Sequence, residues 1–174
     1  MLDPIRRRFK GRAQEHGPLP AITLEPIGVV RNRIKKPMPY GWNTVSSRIV
    51  LRPEFADALM GLSDYSHIVV LFWMHAIPEE IRGSKHQLHP MDDPQLPLQG
   101  VLATRSQIRF NPIGASAVPL LGIKDNILQV RGLDAIDGTP VLDVKPYIPR
   151  FDAVPEARIP SWAQGLAQRI KDGK

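Results

Sequence analysis

The chain has 174 residues, 43% hydrophobic and 23% charged, an ordinary globular composition that allows one sizeable core without requiring a second. The absence of cysteine excludes a disulfide framework, a thiolate zinc site, an iron–sulfur cluster and a cysteine nucleophile, and the longest apolar run, Ile68 to Met74, is far too short to cross a bilayer. A formal charge of +6 favours polyanionic partners, while 18 prolines interrupt helices repeatedly and suit short strands joined by stiff loops, so the expectation is a mainly β, soluble, cytoplasmic protein.

Residues 1 to 20 hold Arg6, Arg7, Arg8, Lys10 and Arg12, then Gly17, Pro18 and Pro20. They read as a flexible basic arm ahead of a single domain over 21–174, the arm being either a contact for nucleic-acid phosphates or a solubilising tail. Strand composition covers Thr23 to Val30 and Arg48 to Leu51, separated by a loop with Pro37, Pro39, Gly41 and Trp42. Pro53 opens a short helix through Leu59 that Gly61 terminates. Ile68 to Met74 reads as a strand buried on both faces and ending at His75. Residues 76–99, with Pro78, Pro90, Pro94 and Pro97, read as one long surface excursion. A meander of strands follows at Val101 to Thr104, Ala117 to Ile123, Ile127 to Leu133 and Val141 to Val144, with Lys124, Asp125 and Asn126 making a hairpin turn. After Pro160, Ser161 caps a last helix with Trp162, Leu166 and Ile170 on one face, which is expected to pack on the sheet.

Neither a GxGxxG nor a GxxxxGK[ST] loop is present, and GASAV around Ser116 lacks the second glycine of a nucleophile elbow. The densest polar cluster is GVLATRSQIRFNPIG, Gly100 to Gly114. Arg105 and Arg109 there suit a carboxylate or phosphate, or else structural ion pairs, and the Asn111-Pro112 turn either aims backbone amides at a ligand or only shapes the loop. A second cluster, GLDAIDGTPVLDVKPY from Gly132 to Tyr147, sets Asp134, Asp137 and Asp143 among apolar residues. Asp137-Gly138 is both a tight-turn pair and a carboxylate at a strand end that can accept from a ribose or an amine. His75 stands at a strand end, as a ligand contact or as a hydrogen-bonded structural imidazole. His86, His89, Asp92 and Asp93 offer an HxxH pair with carboxylates, but the spacing of an HExxH helix is absent and Pro90 breaks any helix, so no metal is expected. Tyr40, Trp42 and Trp73 suit base stacking or packing, with Trp73 assigned to the core.

Taken together, PIGVVRN (26–32), SRIVLRPEFADALMGLSDYSHIVVLFWMH (47–75), GVLATRSQIRFNPIG (100–114) and GLDAIDGTPVLDVKPYIP (132–149) resemble, in order, the TsaA-like (TrmO-type) tRNA N6-methyltransferase family across about residues 24–150. The resemblance implies a single-sheet antiparallel β-barrel with short helices. It also implies S-adenosyl-L-methionine as cofactor near a homodimer interface, and methylation of the N6 of threonylcarbamoyladenosine beside the tRNA anticodon. By position, the cofactor contacts would be Pro37, Met38, Pro39, His75, Arg105, Ala115, Leu133 and Asp134. The resemblance leaves Asp137 as the candidate proton acceptor, and Arg109, Asn111, Lys145 and Tyr147 as candidate contacts to the modified base. Phe110 departs from the proline usual in RPNPIG, and the chain stops soon after the barrel, where longer members carry a further domain associated with tRNA. A methyltransferase on another RNA or a small molecule, and a non-catalytic binding module, are the alternative readings.

Overall fold

The computed structural model describes residues 17 and 19–171, with side chains of the final helix described as far as Leu166. The Arg6 to Arg12 cluster, Pro18 and the Ile170 side chain of the expected last-helix face lie outside the described residues. In chain order the strands are β1 (Gly28–Arg31), β2 (Ser46–Leu51), β3 (His67–Trp73), β4 (Gln87–Leu88), β5 (Gln99–Gly100), β6 (Ile113–Lys124), β7 (Ile127–Arg131) and β8 (Pro140–Pro146). Six of them close an antiparallel barrel in the order β1-β2-β7-β6-β3-β8, with β8 returning to β1, while β4 and β5 form a separate ribbon. Two helices follow, α1 (Pro149–Asp152) and α2 (Ser161–Lys171).

Side chains alternate across each strand, so one set fills the barrel. Val30, Ile49, Leu51, Ile68, Val70, Phe72, Val118, Leu128, Val130 and Val141 form its buried core with Leu133 and Ala135 from the β7–β8 connection. The apolar run in β3 departs from the sequence expectation here. Its Ile68, Val70 and Phe72 are buried, but Val69, Leu71 and Trp73 face outward and are half-buried, because the sheet has closed on itself and only one of its faces is interior. Strand pairing supplies the other corrections. Thr23 to Pro26 are exposed and join no strand, and ordered pairing begins at Gly28, opposite both Leu51 and Val141. Val101 to Ala103 make a 3-10 turn rather than a strand, and β6 starts at Ile113, where β3 offers Trp73 as its partner. The strands are no meander either, since β8 sits between β3 and β1.

The punctuation holds more closely. Pro53–Leu59 is helical, of the 3-10 kind, and Gly61 follows at φ +79°, a left-handed conformation glycine adopts without strain. Asp125 and Asn126 turn β6 into β7, with Lys124 opposite Ile127. Within residues 76–99, the excursion is not all surface, because Leu88 and Pro90 are buried, as are Val101 and Pro112 after it. His89 Nδ1 contacts the Leu96 carbonyl at 2.6 Å and the His86 ring stacks edge-on to Phe110. Trp162, Ala163 and Leu166 are the half-buried positions of α2.

Candidate active site at one end of the barrel

Antiparallel closure gathers three connections at the same end of the barrel: β1–β2 (residues 32–45), β3–β6 (74–112) and β7–β8 (132–139). Most residues singled out in the sequence fall there. The β7–β8 connection is the hub, and hydrogen bonds fix it to both others.

On one side, the Ser116 hydroxyl donates to Asp134 Oδ1, tying the connection to the start of β6. One residue earlier, the Ala115 carbonyl accepts from the Arg105 guanidinium at 2.6 Å. Arg105, Ala115 and Asp134 are exposed and therefore share one accessible margin. Each keeps bonding capacity to spare: Arg105 has further N–H donors and Asp134 a second carboxylate oxygen. Leu133, beside Asp134, is fully buried, so its backbone is anchored by the core.

On the other side, Asn32 acts as a rivet. Its side-chain amide donates to Ser47 Oγ at 2.9 Å and to the Ala135 carbonyl at 2.8 Å, and its backbone N–H donates to Asp137 Oδ1 at 3.1 Å. Asp137 Oδ2 meets Lys35 Nζ at 2.6 Å and Arg31 at 3.7 Å. The hydrogen bond from Lys35, then that from Asn32, hold the Asp137 carboxyl below the usual aspartate range, against a partial desolvation that works the other way. Asp137 is thus an ionised acceptor with low proton affinity. It is also a turn residue: Gly138 follows at φ +84°, its N–H bonded to the Val30 carbonyl at 2.8 Å. A Cβ placed on Gly138 would stand 4.0 Å from His75 Nε2, so the exposed imidazole overlooks this turn, and it makes no side-chain hydrogen bond with any described residue.

The Pro37–Pro39 segment lies in the β1–β2 loop, where the Met38 carbonyl accepts from Trp42 Nε1 at 2.9 Å and the Gly132 N–H reaches the Val45 carbonyl at 2.9 Å. Arg109 is partly engaged within its own loop, donating to the carbonyls of Thr104 at 2.7 Å and Val101 at 3.3 Å. The exposed Asn111 opens the bend into β6, its carbonyl accepting from Ile113 N–H at 2.7 Å.

Lys145 and Tyr147 are not brought to this cluster. Lys145 stands opposite Val69 on the outer face of β8, paired with Asp143 at 2.6 Å, and this carboxylate raises its pKa above the ordinary lysine value. Tyr147 lies beside His67 at the start of β3, their ring centroids 6.3 Å apart, and that is about 20 Å along the strand from Trp73. Between the two groups runs a small apolar outer face, with Ala115 opposite Leu71 and Ala117 opposite Val69.

Reading the sequence missed Ser116, Asn32 and Lys35 as site-forming residues. A serine one residue after a cofactor candidate was a signal in hand for the first. The other two act through partners more than a hundred residues away. Among the described residues no group of three or more His, Asp or Glu is placed to hold a metal, and no helix is long and apolar enough to cross a membrane.

The family described as the tRNA-methyltransferase O N-terminal domain matches residues 32–153, the span that contains every part of this end of the barrel. The chain belongs to that family. Among its relatives, a probable S-adenosyl-L-methionine-binding protein of Methanothermobacter thermautotrophicus is 38% identical over 142 residues, 76% of this chain and 95% of that one. A tRNA (adenine(37)-N6)-methyltransferase of Escherichia coli is 37% identical over 155 residues, 83% of this chain and 65% of that enzyme. A crystal structure of TrmO from Pseudomonas aeruginosa superposes with a TM-score of 0.67 at 33% identity, covering 84% of this chain and 63% of that one. The chain therefore spans slightly less than two thirds of the TrmO chain and of the E. coli enzyme. The antiparallel barrel is the fold of this family's solved members.

Proposed function

We propose that the chain is a cytoplasmic, S-adenosyl-L-methionine-dependent tRNA methyltransferase that works as a homodimer and methylates the N6 of threonylcarbamoyladenosine beside the anticodon. The observation that carries the reading is the convergence of Arg105, Ala115, Ser116 and Asp134 on one accessible margin, in a chain of the tRNA-methyltransferase O family.

The residues fit the proposed cofactor by chemistry. A guanidinium with free donors suits an amino-acid carboxylate, and a carboxylate with a free oxygen suits an amine or ribose hydroxyl. S-adenosyl-L-methionine, when bound, supplies an electrophilic methyl group on a sulfonium. The chain's own work is then positioning. Arg105 would hold the methionine carboxylate, Asp134 and the Leu133 backbone would hold the adenosine part, and His75 with Pro37, Met38, Pro39 and Ala115 would complete the surrounding wall. The substrate nitrogen must shed a proton as it accepts the methyl group. Asp137, kept ionised and aimed by Lys35, accepts that proton; its low proton affinity suffices because the nitrogen takes on the positive charge that the sulfonium loses and so becomes strongly acidic. Arg109 and Asn111 contact the modified base from the β3–β6 loop.

Lys145 and Tyr147 join through the dimer. Two copies packed over the small apolar face of Val69, Leu71, Ala115 and Ala117 present the Lys145 edge of each to the Arg105 margin of the other, so each site draws on both chains. Incubation with cofactor and threonylcarbamoylated tRNA, followed by mass spectrometry of the nucleosides, is expected to reveal the N6-methyl product. Absence of product with cofactor bound would sink the assigned substrate. Random co-assembly of Arg105→Ala and Lys145→Ala chains is expected to regain activity that neither variant has alone, and no regain would refute the shared site.

A further inference from the structure

The outer face of β1, β2 and β7 concentrates cations, and among the described residues only Arg31 of them is answered by a carboxylate, that of Asp137. Arg31 of β1 stands directly opposite Arg48 of β2, and Arg48 stands opposite Gln129 of β7. Two guanidinium groups therefore share one cross-strand row, an arrangement that costs stability unless something bridges the charges. In the next row Ser46 stands opposite Arg131, and Arg33, two residues past the end of β1, lines the same cleft as Ser46. Arg33, Arg48 and Arg131 are exposed, and none makes an ion pair with a described carboxylate. Asp137, the one acidic group lining the cleft among the described residues, is already held by Lys35 and Arg31. A cleft of about 830 Å3 lies over the face, lined by Arg31, Arg33, Arg48, Thr44, Ser46 and Gln129.

We infer that this face is a docking surface for the ribose–phosphate backbone of an RNA, with Arg33, Arg48 and Arg131 each contacting a phosphate. The row spacing of about 5 Å between opposed residues and about 7 Å between outward neighbours on a strand separates the backbone positions of Arg48 and Arg131, and Arg33 adds a third cation past the end of β1, a spread suited to successive phosphates and not to one small anion. Arginine forks, hydroxyls and an amide are the groups that bind phosphate and sugar oxygens. Among the described residues no aromatic ring lines the cleft, so they offer no platform for stacking bases, and binding through them is indifferent to sequence. RNA as the polyanion rests on the reading of the chain as a tRNA methyltransferase; the spread of unanswered charge does not. The β1–β2 loop and Asp137 join the cleft to the proposed active site, so RNA held here leads toward the reacting nucleotide.

The test is the salt dependence of binding between the full chain and an unmodified tRNA transcript, read by fluorescence anisotropy. Removing three phosphate contacts with Arg33→Gln/Arg48→Gln/Arg131→Gln is expected to lower the slope of log K against log salt by about 2 to 3, with at least about a tenfold loss of affinity at 0.1 M salt. Calorimetric affinity for S-adenosyl-L-methionine is expected to stay within about twofold, and the melting temperature to hold or rise as like-charge crowding is relieved. A control, Lys85→Gln/Lys124→Gln/Arg150→Gln, removes equal charge elsewhere and is expected to move the slope by less than half as much. An unchanged slope in the first variant, equal losses in both variants, or equal displacement of tRNA by polyglutamate at the same charge concentration would each overturn the inference. Because the assay reads binding without turnover, absence of methyl transfer would count against the proposed reaction and leave this surface standing.

Discussion

The start of β6 sets the position of the Ala115 carbonyl and hence of Arg105, and that start depends on an absent side chain. Gly114 lies opposite Phe72 in the β3–β6 ladder, and a Cβ built on it would fall among the ring carbons Cε2 and Cζ of Phe72. Phe72 is only 3% exposed, so its ring has no free volume into which to retreat. Gly114→Ala therefore overpacks the core, at a cost of roughly 2 kcal/mol within the usual 1–3. The backbone of Gly114 is not in the left-handed region, so alanine also gains about 0.7 kcal/mol from a stiffer unfolded chain. The net loss is on the order of 1 kcal/mol, a fall in Tm of about 3–5 °C for a chain of this size. Phe72→Leu removes the obstructing ring, so adding Gly114→Ala in that background is expected to be neutral or stabilising, a coupling that a thermal-denaturation double-mutant cycle measures. Cofactor affinity measured by calorimetry on the same four proteins is expected to fall in Gly114→Ala and to recover partly in the double variant. Equal destabilisation by Gly114→Ala in both backgrounds would refute the packing argument, because the cost would then have nothing to do with Phe72.

Further outcomes follow from the site geometry. Arg105→Ala removes the proposed partner of the methionine carboxylate and is expected to weaken cofactor binding about 10- to 100-fold by calorimetry, the range for a charge-assisted bond, with little change in Tm. Asn32→Ala unfastens the β7–β8 connection from Ser47 and Ala135 and is expected to cost about 2 kcal/mol in chemical denaturation. Asp137 has a folded pKa below its ordinary 3.8, so its contribution to stability is present above that value and lost as the pH falls through the lower folded one. The Tm difference between the wild type and Asp137→Asn is accordingly expected to shrink below about pH 4. In turnover assays, Asp137→Asn is expected to lower kcat far more than Lys35→Met, which breaks the ion pair and keeps the carboxylate. Equal losses would assign Asp137 to holding the loop alone.

Local chemistry was legible where the residue that decides a feature is also the residue that displays it. Gly61 supplies, at φ +79°, the left-handed residue of the turn that follows the Pro53–Leu59 helix, Asp125 and Asn126 turn the chain where β6 meets β7, and the motifs from Gly100 and Gly132 converge on one end of the barrel. Pairing could not be read in the same way. Thr23 and Leu24 have strand composition but no partner strand, whereas Ile113 to Ser116 have one in Val70 to Trp73. A strand exists only where another chain segment accepts its hydrogen bonds, and that segment is chosen by closure of the sheet. The same holds for the carboxylates. Sequence placed Asp134 and Asp137 three residues apart in one cluster, with roles assigned only through the family resemblance and no partner visible for either. The fold gave Asp134 to Ser116 on β6 and Asp137 to Lys35 and Asn32 on the β1–β2 side, through hydrogen bonds spanning up to 105 residues. Composition and local conformation thus determined a proline-rich β protein with its turns and motif residues. Which strands are neighbours, which apolar residues face inward and which partner each acid takes were decided only by tertiary structure, because each depends on a residue distant in the chain.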